Sequence, residues 1–256
     1  MAAPVRSFHA DSLAVRVFAN ANDLSLAAAT EVRDFLRDAI AQRGGARVIL
    51  ATGNSQLKFL DDLARLGSVD WSRITCFHMD EYLGIAGDHP ASFVRYMRER
   101  VETRVKPGRF HYLRGDAPDV AGECDRFAAL LREAPIDVCC LGVGENGHLA
   151  FNDPPVADFN DAAWVKVVPL DETNRKQQAG YGHFKSLEDV PKSGITLTIP
   201  ALVAARKVLC LAPGASKASI IRRTLREAIG AACPASILRT QAQAVLLLDA
   251  DSAGLV

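Results

Sequence analysis

IDVCCLGVGENGHLAFNDPP, residues 136–155, is the stretch on which the fold turns. Its start, Ile136–Val143, is the most apolar run in the chain. Such a run marks a strand covered on both faces, at the centre of a parallel sheet. Gly142-Val143-Gly144-Glu145-Asn146-Gly147 then spells G-x-G-x-x-G directly after that strand, and Asp171 lies downstream at roughly the distance a dinucleotide fingerprint asks for. The fingerprint, however, needs a helix of about ten residues or more directly behind its third glycine. Pro154 and Pro155 end any helix within two turns, because proline lacks the N–H and biases the residue before it away from helix. A fingerprint also normally opens its fold, whereas this stretch follows several strands. The nicotinamide reading is set aside. The glycines instead bend the chain to present His148 and Asp153, an imidazole beside a carboxylate, suited to proton transfer. The competing reading is a buried histidine that is merely satisfied.

On either side, short apolar runs alternate with amphipathic ones. Leu13–Phe18, Arg47–Ala51, Ile74–Met79, Val165–Pro169, Ile195–Ile199, Lys207–Ala212 and Ala244–Asp249 read as strands. Asp23–Gln42 (stopped by Gly44-Gly45), Gln56–Leu66, Ala91–Val105, Asp119–Glu133 and Ser216–Ile229 read as helices, and Asp171–Gln178 as the start of a polar one. The alternation predicts an α/β fold: a doubly wound, mostly parallel sheet with helices on both faces, in a single domain over residues 1–256. Asn152–Trp164 and Thr173–Lys192 carry no strong pattern. They read as surface loops or a mobile lid, about 152–192.

Composition excludes several classes. With 256 residues and 49% hydrophobic content the chain buries a full core, and 23% charged residues do not make a disordered one. Thirty basic and thirty acidic residues cancel, which argues against a nucleic-acid binder. No signal core opens the chain and no apolar run approaches the roughly 20 residues of a membrane span. Cys76, Cys124, Cys139, Cys140, Cys210 and Cys233 show no metal-site spacing. They read as reduced thiols of a cytoplasmic protein, with no metal and no disulfide frame.

Ligands in such sheets bind where strand ends meet helix starts, which singles out three more segments. Ala51-Thr52-Gly53-Asn54-Ser55-Gln56 joins a strand to a helix, with a turn-permitting Gly53, hydroxyls on Thr52 and Ser55, and backbone N–H groups that favour an anion. It lacks the Walker pattern, and its plain reading is a strand–helix turn capped by Ser or Asn. Pro213-Gly214-Ala215-Ser216-Lys217-Ala218 repeats the arrangement, with Ser216 as cap and Lys217 in the first turn. There a cation costs roughly 0.3–1 kcal/mol unless an anion binds; the plain reading is a solvated lysine. Cys76-Phe77-His78-Met79-Asp80-Glu81-Tyr82 ends a strand on two acids. Alternation sends their side chains to opposite sides, so at most one faces a pocket as general base. The plain alternative is an acid at a loop start.

ATGNS, FHMDEY, GENGHLAFNDP and GASKA, in this order and at these spacings, resemble the glucosamine-6-phosphate deaminase family from Arg47 to Asp249. The resemblance implies a Rossmann-like doubly wound fold. It implies conversion of glucosamine 6-phosphate and water to fructose 6-phosphate and ammonia, a hydrolase of amino-sugar catabolism with no metal or organic cofactor. It implies Asp80 as the base at C2, His148 as the ring-opening acid–base, and Asn146 and Asp153 as its supports. It also implies Thr52, Gly53, Asn54 and Ser55 as the phosphate loop, with Lys217 and, within DETNRKQ, Arg175 as cationic contacts. The partner is a small sugar phosphate, with no nucleic acid and no membrane. Family members range from monomers to hexamers, so a homo-oligomer stays open; longer members carry a C-terminal extension that Leu255-Val256 does not match.

Two positions depart from the family's usual pattern: Asn146 is Asp in some members, and Asp153 is usually Glu. The shorter Asp153 makes loss of the His148 contact, or a backbone shift, an expectation to check, and it leaves the sugar epimer open. The related 6-phosphogluconolactonases typically carry DER at Asp80-Glu81-Tyr82 and DGHTASLFP at NGHLAFNDP. The alternatives are thus a lactone hydrolase using His148 to activate water, and a sugar-phosphate-binding regulator without turnover. Against the latter, a candidate acid or base stands at every catalytic position.

Overall fold

The computed structural model describes residues 3–172, 175–176, 179 and 184–256. An edge hairpin of β1 (Arg6–Ala10) and β2 (Leu13–Phe18) leads into α1 (Ala21–Arg43), which Asn20 caps by accepting from the Asp23 N–H and Gly44 ends at φ +80°. There follow β3 (Ala46–Leu50), α2 (Asn54–Leu66), β4 (Ile74–His78) and the short β5 (Asp80–Tyr82). Next come α3 (Phe93–Met97), a wider π-type turn at Arg98–Glu102, α4 (Thr103–Val105), β6 (Arg109–His111), α5 (Val120–Arg132) and β7 (Val138–Gly142). The chain closes with β8 (Val165–Pro169), β9 (Ser193–Leu197), α6 (Ile199–Val203), β10 (Lys207–Ala212), α7 (Ala218–Arg226) and β11 (Ala244–Asp249).

The main sheet has eight strands in the order β1-β2-β11-β10-β7-β3-β4-β6, parallel throughout except for β1. Alternate residues of its strands enter different cores, which is why the central strands read as continuous apolar runs. Ile49, Phe77, Cys139, Leu141 and Cys210 pack with Phe127 of α5, Leu202 of α6 and Ile221 of α7. Val48, Leu50, Cys76, Cys140 and Leu209 pack with Leu36 of α1 and Phe59 of α2. After β3 the chain moves outward to β4 and β6; after β7 it moves the other way, to β10 and β11. The switch point therefore lies between β3 and β7, and parallel strands place the residues following β10, β7, β3 and β4 along one edge.

The sequence reading differs from this fold at several places. The expected Ile195–Ile199 strand is β9, Ser193–Leu197, and Ile199 already begins α6. β9 and the expected strand Val165–Pro169 lie outside the main sheet, in a three-stranded antiparallel one with β5. Their register pairs Asp80 with Thr196 and Lys166 with Thr196, and the layer packs through Tyr82, Phe151 and Val168. The expected helix Ala91–Val105 starts at Ser92, which caps it, and widens at Arg98–Glu102. The expected helix Ser216–Ile229 begins only at Ala218 and ends at Arg226, because Ala215–Lys217 form a tighter turn and Glu227 is extended. The expected helix Asp171–Gln178 lies partly outside the described residues. All six cysteines are unpaired, and all but Cys124 are buried.

Candidate active site

A cavity of about 600 Å³ opens at the switch point. Thr52, Gly53, Asn54 and Ser55 (after β3), Asp80 (after β4), His148 (after β7) and Lys217 (after β10) all line it. The loop after β3 is shaped by Gly53, whose φ of +98° only glycine adopts freely. Neither Asn54 nor Ser55 caps α2: Gly53 holds the cap position with no side-chain bond, and while the Gln56 N–H donates to Gly53 O at 3.0 Å, the N–H groups of Asn54 and Ser55 stay available at the cavity. Ser55 Oγ instead accepts from the buried Gln56 Nε2 at 3.1 Å. Gly142 lies against this pair, since a Cβ there would stand 2.9 Å from Ser55 Oγ.

The turn after β10 is organised by its backbone. Gly214, at φ +93°, donates its N–H to both Asp249 carboxylate oxygens at 3.0–3.1 Å. Ser216 is therefore not the cap that its position suggested; no side chain caps this turn. Lys217 ends the turn, half-buried, and forms no ion pair with the described residues. Burial lowers its pKa, while the charge of Glu145, also on the cavity wall, raises it.

Asp80 and Glu81 separate as alternation requires. Asp80 faces the cavity at 6% exposure, and its Oδ1 has no hydrogen-bond partner among the described residues. Burial, with Glu81's charge behind it, pushes the Asp80 carboxyl up to about 8. Glu81 points away and is fully engaged by backbone and hydroxyl donors.

His148 is held through one ring nitrogen. Nδ1 lies 2.8 Å from Asn146 Oδ1 and 3.0 Å from Asp153 Oδ1, while Asn146 Nδ2 donates to the same Asp153 oxygen at 2.8 Å. The shorter Asp153 thus keeps the contact. The triad fixes the ring and leaves Nε2 for the cavity. The glycines explain themselves here: a Cβ on Gly144 would stand 2.1–2.3 Å from the His148 ring, and Gly147 turns at φ +91°. Ala150 also sits in the left-handed region, at φ +52°, as the chain turns back toward Asp153.

Arg175 stands apart from the other expected phosphate contacts. It is not among the residues lining the cavity, and its guanidinium donates to the carbonyls of Leu187 (2.7 Å) and Val190 (2.9 Å). Conversely, the wall formed by Ser92, Phe93, Arg95, Tyr96, Glu99 and Arg100 was not anticipated as part of the site. Its signal was the Ser92 cap after His89-Pro90; its place was invisible because helical periodicity shows only the buried face. Tyr96 joins this wall to the loop after β3 by donating from Oη to Gly53 O at 3.2 Å. Among the described residues no three His, Cys, Asp or Glu side chains converge as metal ligands would, and no helix is long and apolar enough to cross a membrane.

The edge of a doubly wound sheet thus carries free N–H groups and a lysine beside a buried acid and an oriented imidazole, the equipment of an enzyme that anchors an anion and moves protons. The chain belongs to the glucosamine-6-phosphate isomerase/6-phosphogluconolactonase family, whose model matches residues 19–247. It is 34% identical over 227 residues to the glucosamine-6-phosphate deaminase of Streptococcus suis strain 05ZYH33, covering 88% of this chain and 93% of that one. It is 36% identical over 212 residues to that of Exiguobacterium sibiricum, covering 83% and 82%. Among solved structures, a monomeric glucosamine-6-phosphate deaminase superposes with a TM-score of 0.86 at 32% identity, over 94% of this chain and 99% of that one. A 6-phosphogluconolactonase from Shewanella baltica, at 22% identity and a TM-score of 0.78 over 94% and 100%, shares the fold.

Proposed function

We propose that this protein is a glucosamine-6-phosphate deaminase, converting glucosamine 6-phosphate and water to fructose 6-phosphate and ammonia. The observation that carries the reading is Asp80: a buried carboxyl with an unpartnered oxygen, in one cavity with an oriented imidazole and an unpaired lysine. In this reading the phosphate lies against Thr52–Ser55 and Lys217, where charge-assisted hydrogen bonds are roughly twice as strong as neutral ones. Arg175 joins it only after leaving the Leu187 and Val190 carbonyls.

His148 Nε2 takes the proton of the C1 hydroxyl and returns it to the ring oxygen, opening the ring. Asp80 takes the C2 proton and delivers it to C1 through an enolamine, while one proton of the substrate's ammonium passes to O1, so the amine-bearing carbon becomes an imine. Water adds at C2 and ammonia leaves. Each acid–base step contributes about 10²–10⁴-fold. Asp80 must be ionised to act, and the ammonium of the substrate supplies the charge that ionises it. The unpaired cysteines fit a reducing compartment, the cytoplasm.

The test is ammonia and fructose 6-phosphate release from glucosamine 6-phosphate with no added metal or nucleotide, beside galactosamine 6-phosphate and 6-phosphogluconolactone. Release from glucosamine 6-phosphate is expected. Lactone hydrolysis without ammonia would overturn the reading.

A further inference from the structure

Glu81 has no place in the proton transfers above, yet it is among the most constrained acids in the molecule, at 1% exposure. Its Oε1 accepts from the N–H groups of Tyr82 (2.8 Å) and Phe93 (3.2 Å). Its Oε2 accepts from Ser92 Oγ (2.6 Å) and the Val94 N–H (2.9 Å). Three of these donors belong to the start of α3, whose orphan N–H groups and positive end favour a carboxylate. Gly115 closes the pocket behind it, for a Cβ there would stand 3.1 Å from Glu81 Cγ and 2.0 Å from Tyr82 O. The neighbouring Asp80 reaches the cavity from the other side of the same three-residue strand.

We propose that Glu81 is a positioning residue: it ties the strand carrying Asp80 to the start of the helix that forms another wall of the cavity, holding base and wall at one spacing. The proposal rests on the reading of Asp80 as the base. Two consequences separate it from a purely structural role. The wall residues Ser92, Phe93 and Arg95 touch the cavity directly, so loosening the tie weakens substrate binding. Glu81's charge also bears on Asp80, next after burial in holding that carboxyl up. The other charged or titratable groups lining the cavity with Asp80 are His148 and Glu145 after β7, Lys217 after β10, and Arg95, Tyr96, Glu99 and Arg100 on the wall. None of these is substituted in Glu81→Gln, and Ser92→Ala loosens the same wall without removing a charge, so the two variants together separate the charge of Glu81 from movement of Arg95, Glu99 and Arg100.

The experiment is Glu81→Gln against Ser92→Ala, assayed for glucosamine 6-phosphate turnover across pH. Gln cannot accept from all four donors and carries no charge. Loss of one charge-assisted hydrogen bond predicts a KM roughly tenfold higher in both variants. A base works only when deprotonated, so activity rises with pH through its pKa. With Glu81's charge gone, the acidic limb of kcat/KM moves to lower pH in Glu81→Gln and stays in place in Ser92→Ala. An unmoved limb in folded Glu81→Gln overturns the proposal, as does an unchanged KM in Ser92→Ala; the latter decides alone if Glu81→Gln fails to fold. Should the wild type release no ammonia, the functional reading fails separately. Calorimetric binding of fructose 6-phosphate then replaces KM, with the same tenfold weakening expected and unchanged affinity overturning the proposal.

Discussion

Asp80 sets stability against use. Its carboxyl is raised to about 8 in the folded chain, by burial first and Glu81 second, against about 3.9 in an unfolded one. The proton it holds stabilises the fold fully below pH 4, and that contribution is lost as pH rises toward 8. Asp80→Asn removes the titration while keeping the shape. The variant should therefore be more stable than wild type at pH 8, by on the order of 1–3 kcal/mol, with the gap closing toward pH 4. It should also lose deuterium exchange at C2 of a bound sugar phosphate. Urea melts at the two pH values and mass spectrometry of the recovered sugar check both; exchange at the wild-type rate would remove Asp80 from the role of base.

β4 ends on a second buried titratable group. His78 is fully buried between Tyr112 and Phe127, with Nε2 accepting from the Leu113 N–H at 2.8 Å. Burial pushes its pKa down to about 3. An unfolded histidine takes its proton near 6.5 and the folded one does not, so the strand's contribution is intact above pH 6.5 and falls with acid toward 3. The slope is about 1.4 kcal/mol per pH unit. Asp80 drifts the opposite way over part of this window, so the measurement must be a comparison. The stability difference between wild type and His78→Gln should shrink between pH 7 and pH 5. An equal difference at both values would mean that His78 is not held neutral.

Convergence of strand ends makes the proposed anion site a property of the assembled sheet. Residues 52–55 and Lys217 are far apart in sequence and meet because β3 and β10 flank β7 in parallel. Lys217 is partly desolvated with no acid paired to it among the described residues, so removing it relieves the protein without ligand and deprives the proposed anion of its contact. Lys217→Ala should raise KM by about 10–100-fold and leave the melting temperature unchanged or slightly higher. The melting shift produced by fructose 6-phosphate should also shrink. A shift equal to that of wild type would place the phosphate elsewhere.

What was legible in the residues follows from where the hydrophobic signal is strong. Lys207–Ala212 and Ala244–Asp249 stand where their apolar runs begin and end, because a central parallel strand is buried on both faces. The failure of the dinucleotide motif was equally legible, since Pro154 and Pro155 allow no helix behind Gly147. The alternation that separates Asp80 from Glu81 is local geometry too. Hidden were β1 and β6, edge strands with little continuous burial to announce them, and β5, whose three buried residues include two acids and are too few to show a pattern. The antiparallel pairing of β5, β8 and β9 was hidden as well, because hydrogen-bond partners far along the chain leave no periodicity. Sequence by itself determined the α/β class, the order of the central strands and longer helices, and the chemical groups at the loops. Only the tertiary structure decided that the wall from Ser92 to Arg100 closes the cavity, that Arg175 binds carbonyls outside it, and that Asp153 still reaches His148. Those outcomes depend on distances between segments that share no local pattern, and packing alone sets such distances.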